Sequence, residues 1–133
     1  MATILLIDDD ETSRIILGRI LEDGGHAVAY AKDGSAGLAR AQKDAFDLII
    51  TDLAMPDVSG LRLIRELRST GNVTGIIAVS AFCGEHGELA ETYGASAFLS
   101  KPVNRSEVLA LVERELTEVF EPTTADLASP SSL

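Results

Sequence analysis

The feature that most constrains this chain is a recurring pair: a short, wholly apolar run, then a longer stretch with helical periodicity. Thr3–Ile7 (TILLI), Leu48–Thr51 (LIIT) and Gly75–Ser80 (GIIAVS) show no polar alternation. A strand with one wet face alternates apolar and polar residues. A continuous apolar run implies that both faces are covered, as in a parallel sheet packed between helices. His26–Tyr30 and Ala97–Ser100 read as two further short strands.

The stretches between them carry helix punctuation. Glu11–Asp23 places Ile16, Leu17, Ile20 and Leu21 on one side and stops at Gly24-Gly25. Asp33–Lys43 opens on an N-cap aspartate. Ser59–Ser69 turns Leu63, Ile64 and Leu67 inward, and Ser106–Phe120 does the same with Val108, Leu111, Val112 and Leu116. Glu85–Tyr93 is the weakest helix. Its core candidates are Leu89, Ala90 and Tyr93, and Gly87 interrupts it at a cost of about 1 kcal/mol against alanine. Five β-then-α units predict an α/β fold: a five-stranded, doubly wound, flavodoxin-like parallel sheet with helices on both faces. Periodicity stops at Glu121–Leu133 (EPTTADLASPSSL), so the expected organisation is one domain over residues 1–120 and a flexible Pro/Ser/Thr-rich tail over 121–133.

Charge and sulfur content narrow the function classes. A formal net charge of -10 argues against a direct nucleic-acid or anionic-membrane surface, which needs clustered Lys and Arg. Cys83 is the single cysteine, so an internal disulfide is excluded and a reducing cytoplasmic setting is expected. No apolar run approaches the ~20 residues needed to span a bilayer.

In a doubly wound sheet, ligands gather beyond the carboxyl ends of the strands. Asp8, Asp9 and Asp10 follow the first strand, Asp52 the third, Ser80 the fourth and Lys101 the fifth. Convergent carboxylates repel one another, and a divalent cation relieves that repulsion. Carboxylate and carbonyl oxygens suit Mg²⁺. An aspartate in such a place can attack phosphorus and hold an acyl phosphate, while a lysine and a hydroxyl hold the remaining phosphoryl oxygens.

The segments LLIDDDE, FDLIITDLAMPDVSG, IIAVSA and GASAFLSKPV, in that order and at these separations, resemble the receiver domain of two-component response regulators over about residues 3–120. The resemblance implies that Asp52 is the phosphoacceptor. Mg²⁺ would be held by Asp9, Asp52 and the Ala54 backbone carbonyl, with Asp8 acting through a metal-bound water. Ser80, Ala81 and Lys101 would bind the phosphoryl group, and Ser80 and Phe98 would act as the switch. The bond between Lys101 and Pro102 would be cis. A sensor histidine kinase or a histidine phosphotransfer protein would be the donor. The downstream protein target is unknown, and the protein would be a monomer or a phosphorylation-dependent dimer, either stand-alone or an excised receiver. At the two positions that tune phosphoryl lifetime in this family stand Ala54 and Phe82, which implies slow autodephosphorylation.

Other readings compete. Asp8–Glu11 could simply cap a helix, and Asp10 and Glu11 are expected to do so. A phosphatase of the haloacid-dehalogenase kind also uses an aspartate nucleophile and Mg²⁺. It needs a general-acid aspartate two residues later, where this chain has Ala54. A scaffold that has lost phosphorylation should lack part of the site, and no part is missing. His26 and His86 carry no metal spacing and are expected at the surface or at strand ends; Cys83 is expected to be a small packed or partly exposed residue, and Asp57 an ordinary loop residue.

Overall fold

A computed structural model describes the backbone of residues 2–81 and 83–128, and the side chains of residues 2–81 and 87–117. The elements run β1 (Thr3–Ile7), α1 (Glu11–Asp23), β2 (Ala27–Ala31), α2 (Gly34–Lys43), β3 (Leu48–Asp52), α3 (Gly60–Ser69), β4 (Gly75–Ser80), α4 (Cys83–Tyr93), β5 (Ala97–Ser100) and α5 (Arg105–Ala128). All strand pairs are parallel, in the order β2-β1-β3-β4-β5. The expected doubly wound α/β sheet is therefore present.

Successive strand residues point to opposite faces, and each face has its own core. Leu5, Ile7, Ile49, Ile76 and Ala78 pack with Leu63, Ile64 and Leu67 of α3 and Ala90 of α4. Ile4, Leu6, Leu48, Ile50, Ile77 and Val79 pack with Leu17, Ile20 and Leu21 of α1 and Val108 and Val112 of α5. The continuous apolar runs reflect this two-sided burial.

Several boundaries move for identifiable reasons. His26 falls outside β2 because its amide donates to the Leu21 carbonyl (3.2 Å), closing the turn after α1. It is also buried rather than at the surface, with Nδ1 accepting the Ala2 amide at 3.2 Å. Ile16 lies at one margin of the apolar stripe of α1 and is 51% exposed, not inward. Leu89 likewise faces out of α4, which buries Ala90 instead. α4 starts earlier than expected, at Cys83, despite Gly84. The start of α5 is capped by Asn104, whose Oδ1 accepts the Glu107 amide at 3.2 Å.

At its other end α5 continues past Phe120 to Ala128, so residues 121–128 of the segment expected as a tail are helical. Residues 129–133 lie outside the described residues.

Candidate phosphoacceptor and metal site

The strand order reverses between β1 and β3, and a crevice opens where the crossovers diverge. Asp8 and Asp9 leave the end of β1 at that crevice, and Asp52 is the last residue of β3. Asp8, Asp9 and Asp52 each offer a carboxylate oxygen, and the three oxygens lie within 4.8 Å of one another. Asp8 and Asp52 are buried, whereas Asp9 is exposed.

Lys101, just past β5, closes the far side. Its Nζ lies 3.4 Å from Asp8 Oδ2 and 3.4 Å from Asp52 Oδ2. Burial pushes the Asp8 carboxyl up from its ordinary range and the Asp52 charge adds to this, against the Asp10 amide and Lys101. Burial alone would lower the Lys101 ammonium, but the charges of Asp52 and Asp8 outweigh it and raise the pKa, so the lysine stays charged.

Local hydrogen bonds set the rest of the geometry. Asp8 Oδ1 accepts the Asp10 amide at 2.9 Å, and Asp10 in turn caps α1 by accepting the Ser13 amide at 2.9 Å. Asp52 Oδ1 accepts the Ala54 amide at 3.3 Å. Ser80 ends β4, is buried, and pairs in register with Ser100, while its carbonyl accepts the Lys101 amide at 3.0 Å. The peptide bond from Lys101 to Pro102 is cis. Phe98 is 37% exposed, with its ring over Gly87 of α4. Ala81 is exposed beside Ser80. Phe82 lies outside the described residues, as do the side chains of Cys83 and His86.

The donor set is all hard oxygen and negatively charged, with one carboxylate open to solvent. This fits Mg²⁺, which binds few protein oxygens and keeps several waters. Asp8, Asp9 and Asp52 would hold the ion.

Four residues shape this region in ways not read from the sequence. Arg14 donates from Nη1 to the Asp8 carbonyl at 2.7 Å and steadies the strand end. Asp57 is more than an ordinary loop residue: its carboxylate accepts the Gly34 amide at 3.2 Å and the Ser35 amide at 3.0 Å, at the start of α2. Amides of Val58, Ser35 and Gly34 hold its carboxyl down to about 2. Met55 and Val58 of the same loop are buried against α2 and α3. An acid facing a glycine-opened helix is a usable signal for Asp57, but only once the loop is known to reach that helix.

The chain is similar to known proteins over most of its length. Residues 4–113 match the family model described as the response regulator receiver domain. A response regulator receiver protein of Anaeromyxobacter sp. (strain Fw109-5) is 36% identical over 112 residues, covering 84% of this chain and 47% of that protein. The chain thus spans about half the length of that relative. Chemotaxis response regulator CheY4 of Vibrio cholerae superposes with a TM-score of 0.80 at 31% identity, covering 86% of this chain and 98% of that one. Response regulator TrrA of Thermotoga maritima, solved in complex with Mg²⁺-BeF, gives a TM-score of 0.80 at 28% identity, covering 86% of this chain and 99% of that one.

Proposed function

The chain belongs to the response regulator receiver domain family of two-component signalling, and from that premise we propose that it accepts a phosphoryl group on Asp52 and switches the binding of a protein partner. The observation that carries this reading is the convergence of Asp8, Asp9 and Asp52 within 4.8 Å, with one ammonium bridging two of them.

Each residue has a role that its surroundings support. An Asp52 carboxylate oxygen is the nucleophile and becomes the acyl phosphate. Lys101 keeps its proton and neutralises a phosphoryl oxygen, while the Ser80 hydroxyl and the Ala81 amide take others. When bound, Mg²⁺ neutralises charge on the transferring group and lets the carboxylates share the site. Asp8, Asp9 and Asp52, with the Ala54 carbonyl, would hold it. Phosphorylation draws Ser80 toward the site and frees Phe98 to turn inward, which reshapes the surface of α4, β5 and α5.

The donor is a sensor histidine kinase or a histidine phosphotransfer protein, or a small acyl phosphate. The setting is cytoplasmic; no helix among the described residues is long and apolar enough to cross a membrane. The protein acts as an acceptor rather than as a turnover enzyme. At the position where a haloacid-dehalogenase phosphatase carries its acid, Ala54 offers no proton. Residues 1–120 form the receiver unit and 121–133 an appended segment.

Incubation with acetyl phosphate and Mg²⁺ is expected to add the mass of one phosphoryl group to the chain, and Asp52→Asn is expected to abolish the gain. No gain in the wild type, or a gain retained in Asp52→Asn, would refute the assignment.

A further inference from the structure

A cleft of about 420 Å³ adjoins the acceptor site on the side where α1 faces the segment after β5. Its walls are apolar: Ile16 and Leu17 from α1, Val79 from β4, and Pro102 and Val103 beyond Lys101. Asp8, Ser13, Ala81 and Lys101 also line it, and Asp8 and Lys101 belong to the acceptor site as well. The cleft and the acceptor site are therefore continuous. Ile16 is half exposed in its wall, so its side chain is open to a ligand in the cleft.

Chemistry narrows what could lie there. The product on Asp52 is a mixed anhydride of a carboxylic and a phosphoric acid, so its donor must be comparably activated. Phosphate esters are not; a phosphohistidine and acyl phosphates are, and of these only a small acyl phosphate can enter the cleft whole. In a chain of net charge -10, an anionic donor needs a cation, and Lys101 stands where the cleft meets the acceptor site. An acetyl group would leave most of a 420 Å³ cleft to water, whereas a branched or aromatic acyl group would meet the aliphatic walls.

Resting on the acceptor reading, we infer that this cleft seats the acyl group of a small acyl phosphate derived from a branched or aromatic carboxylic acid, with its phosphoryl end toward Asp52. An Asp52 oxygen forms the new bond to phosphorus. The bond between phosphorus and the bridging oxygen breaks, and its electron pair leaves with the acyl group as a carboxylate. No proton, oxidant or reductant is needed. Lys101 faces both the incoming and the departing anion.

Benzoyl phosphate and acetyl phosphate serve as probes on the full chain with Mg²⁺, with initial phosphorylation rates followed by intact mass. Burying one methylene is worth about fourfold in affinity, so a phenyl ring against these walls should lower the half-saturating concentration by at least about tenfold relative to acetyl phosphate. Ile16→Ser, a change at a half-exposed position, should shrink that advantage to about threefold or less while leaving acetyl phosphate unaffected. Without Mg²⁺, benzoate should shift the methyl resonances of Ile16, Val79 and Val103. Equal half-saturation by the two donors would overturn the inference and leave the cleft to side chains of a donor protein; the acceptor reading would stand. Benzoate binding without phosphoryl uptake from either donor would instead refute the acceptor reading.

Discussion

The ammonium of Lys101 bridges Asp8 and Asp52, 3.4 Å from a carboxylate oxygen of each, although the lysine is 49 residues from one and 93 from the other. Without it the two buried acids face each other with their charges unrelieved. Lys101→Met is therefore expected to destabilise the metal-free protein. A fully buried pair broken this way loses several kcal/mol, and discounting for the partial exposure of Lys101 leaves about 1–2 kcal/mol. Millimolar Mg²⁺ should restore more of the melting temperature in the variant than it adds to the wild type. Asp8→Asn should do the opposite, raising the metal-free melting temperature while weakening Mg²⁺ binding. Thermal melts with and without Mg²⁺ check all three outcomes.

Asp57 makes a pH prediction. Its carboxyl is held down to about 2 from the ordinary 3.8 by the amides of Val58, Ser35 and Gly34. A carboxyl lowered on folding adds stability that is fully present above its unfolded value and is lost as pH falls through the folded one. The melting temperature of the wild type should thus exceed that of Asp57→Asn above about pH 4, and the gap should close toward pH 2. A gap constant across that window would mean that the amides do not recognise the charge.

Phosphoryl lifetime is set by whether a water can be aimed at the acyl phosphate. Ala54 has no polar side chain to do so, and Phe82 supplies none in sequence. One added hydrogen bond to an attacking water is worth about 1–1.5 kcal/mol, or roughly tenfold in rate. Ala54→Asn and Phe82→Glu should each shorten the lifetime of the phosphorylated protein by about that factor, as followed by loss of the phosphoryl mass. Equal lifetimes in all three proteins would reject this account.

The segment beyond Phe120 is separable in the proposed organisation. A chain ending at Phe120 keeps Val108 and Val112, the α5 residues that pack in the apolar core among the described side chains. Its melting temperature should fall by no more than a few degrees, and its acceptance of a phosphoryl group should be unchanged. A loss of cooperative unfolding on truncation would assign residues 121–128 a structural role.

Much of the fold was legible because its signals are local. The continuous apolar runs of Thr3–Ile7, Leu48–Thr51 and Gly75–Ser80 marked strands buried on both faces, and all three are there. Asp10 and Asp33, read as caps, do cap α1 and α2 through bonds to amides three residues on, and Ser59, read as the first residue of its helix, caps α3 in the same way. The strands placed Asp8, Asp9, Asp52, Ser80 and Lys101 at one rim, since in a parallel sheet every strand ends on the same edge.

What the residues could not reveal depends on neighbours far along the chain. Ile16 and Leu89 share the helical spacing of buried residues, yet whether they are covered depends on where α1 and α4 sit over the sheet. His26 reads as a polar strand end, but it is buried by the contact of its ring nitrogen with Ala2. The binding of α2 by Asp57 and the cleft beside Lys101 exist only because separate segments meet at one edge. Periodicity and capping are written in short stretches of chain and fix each element. The distances among charges are decided only when those elements pack, because a carboxylate has no fixed position relative to a lysine 49 residues away until the sheet between them forms.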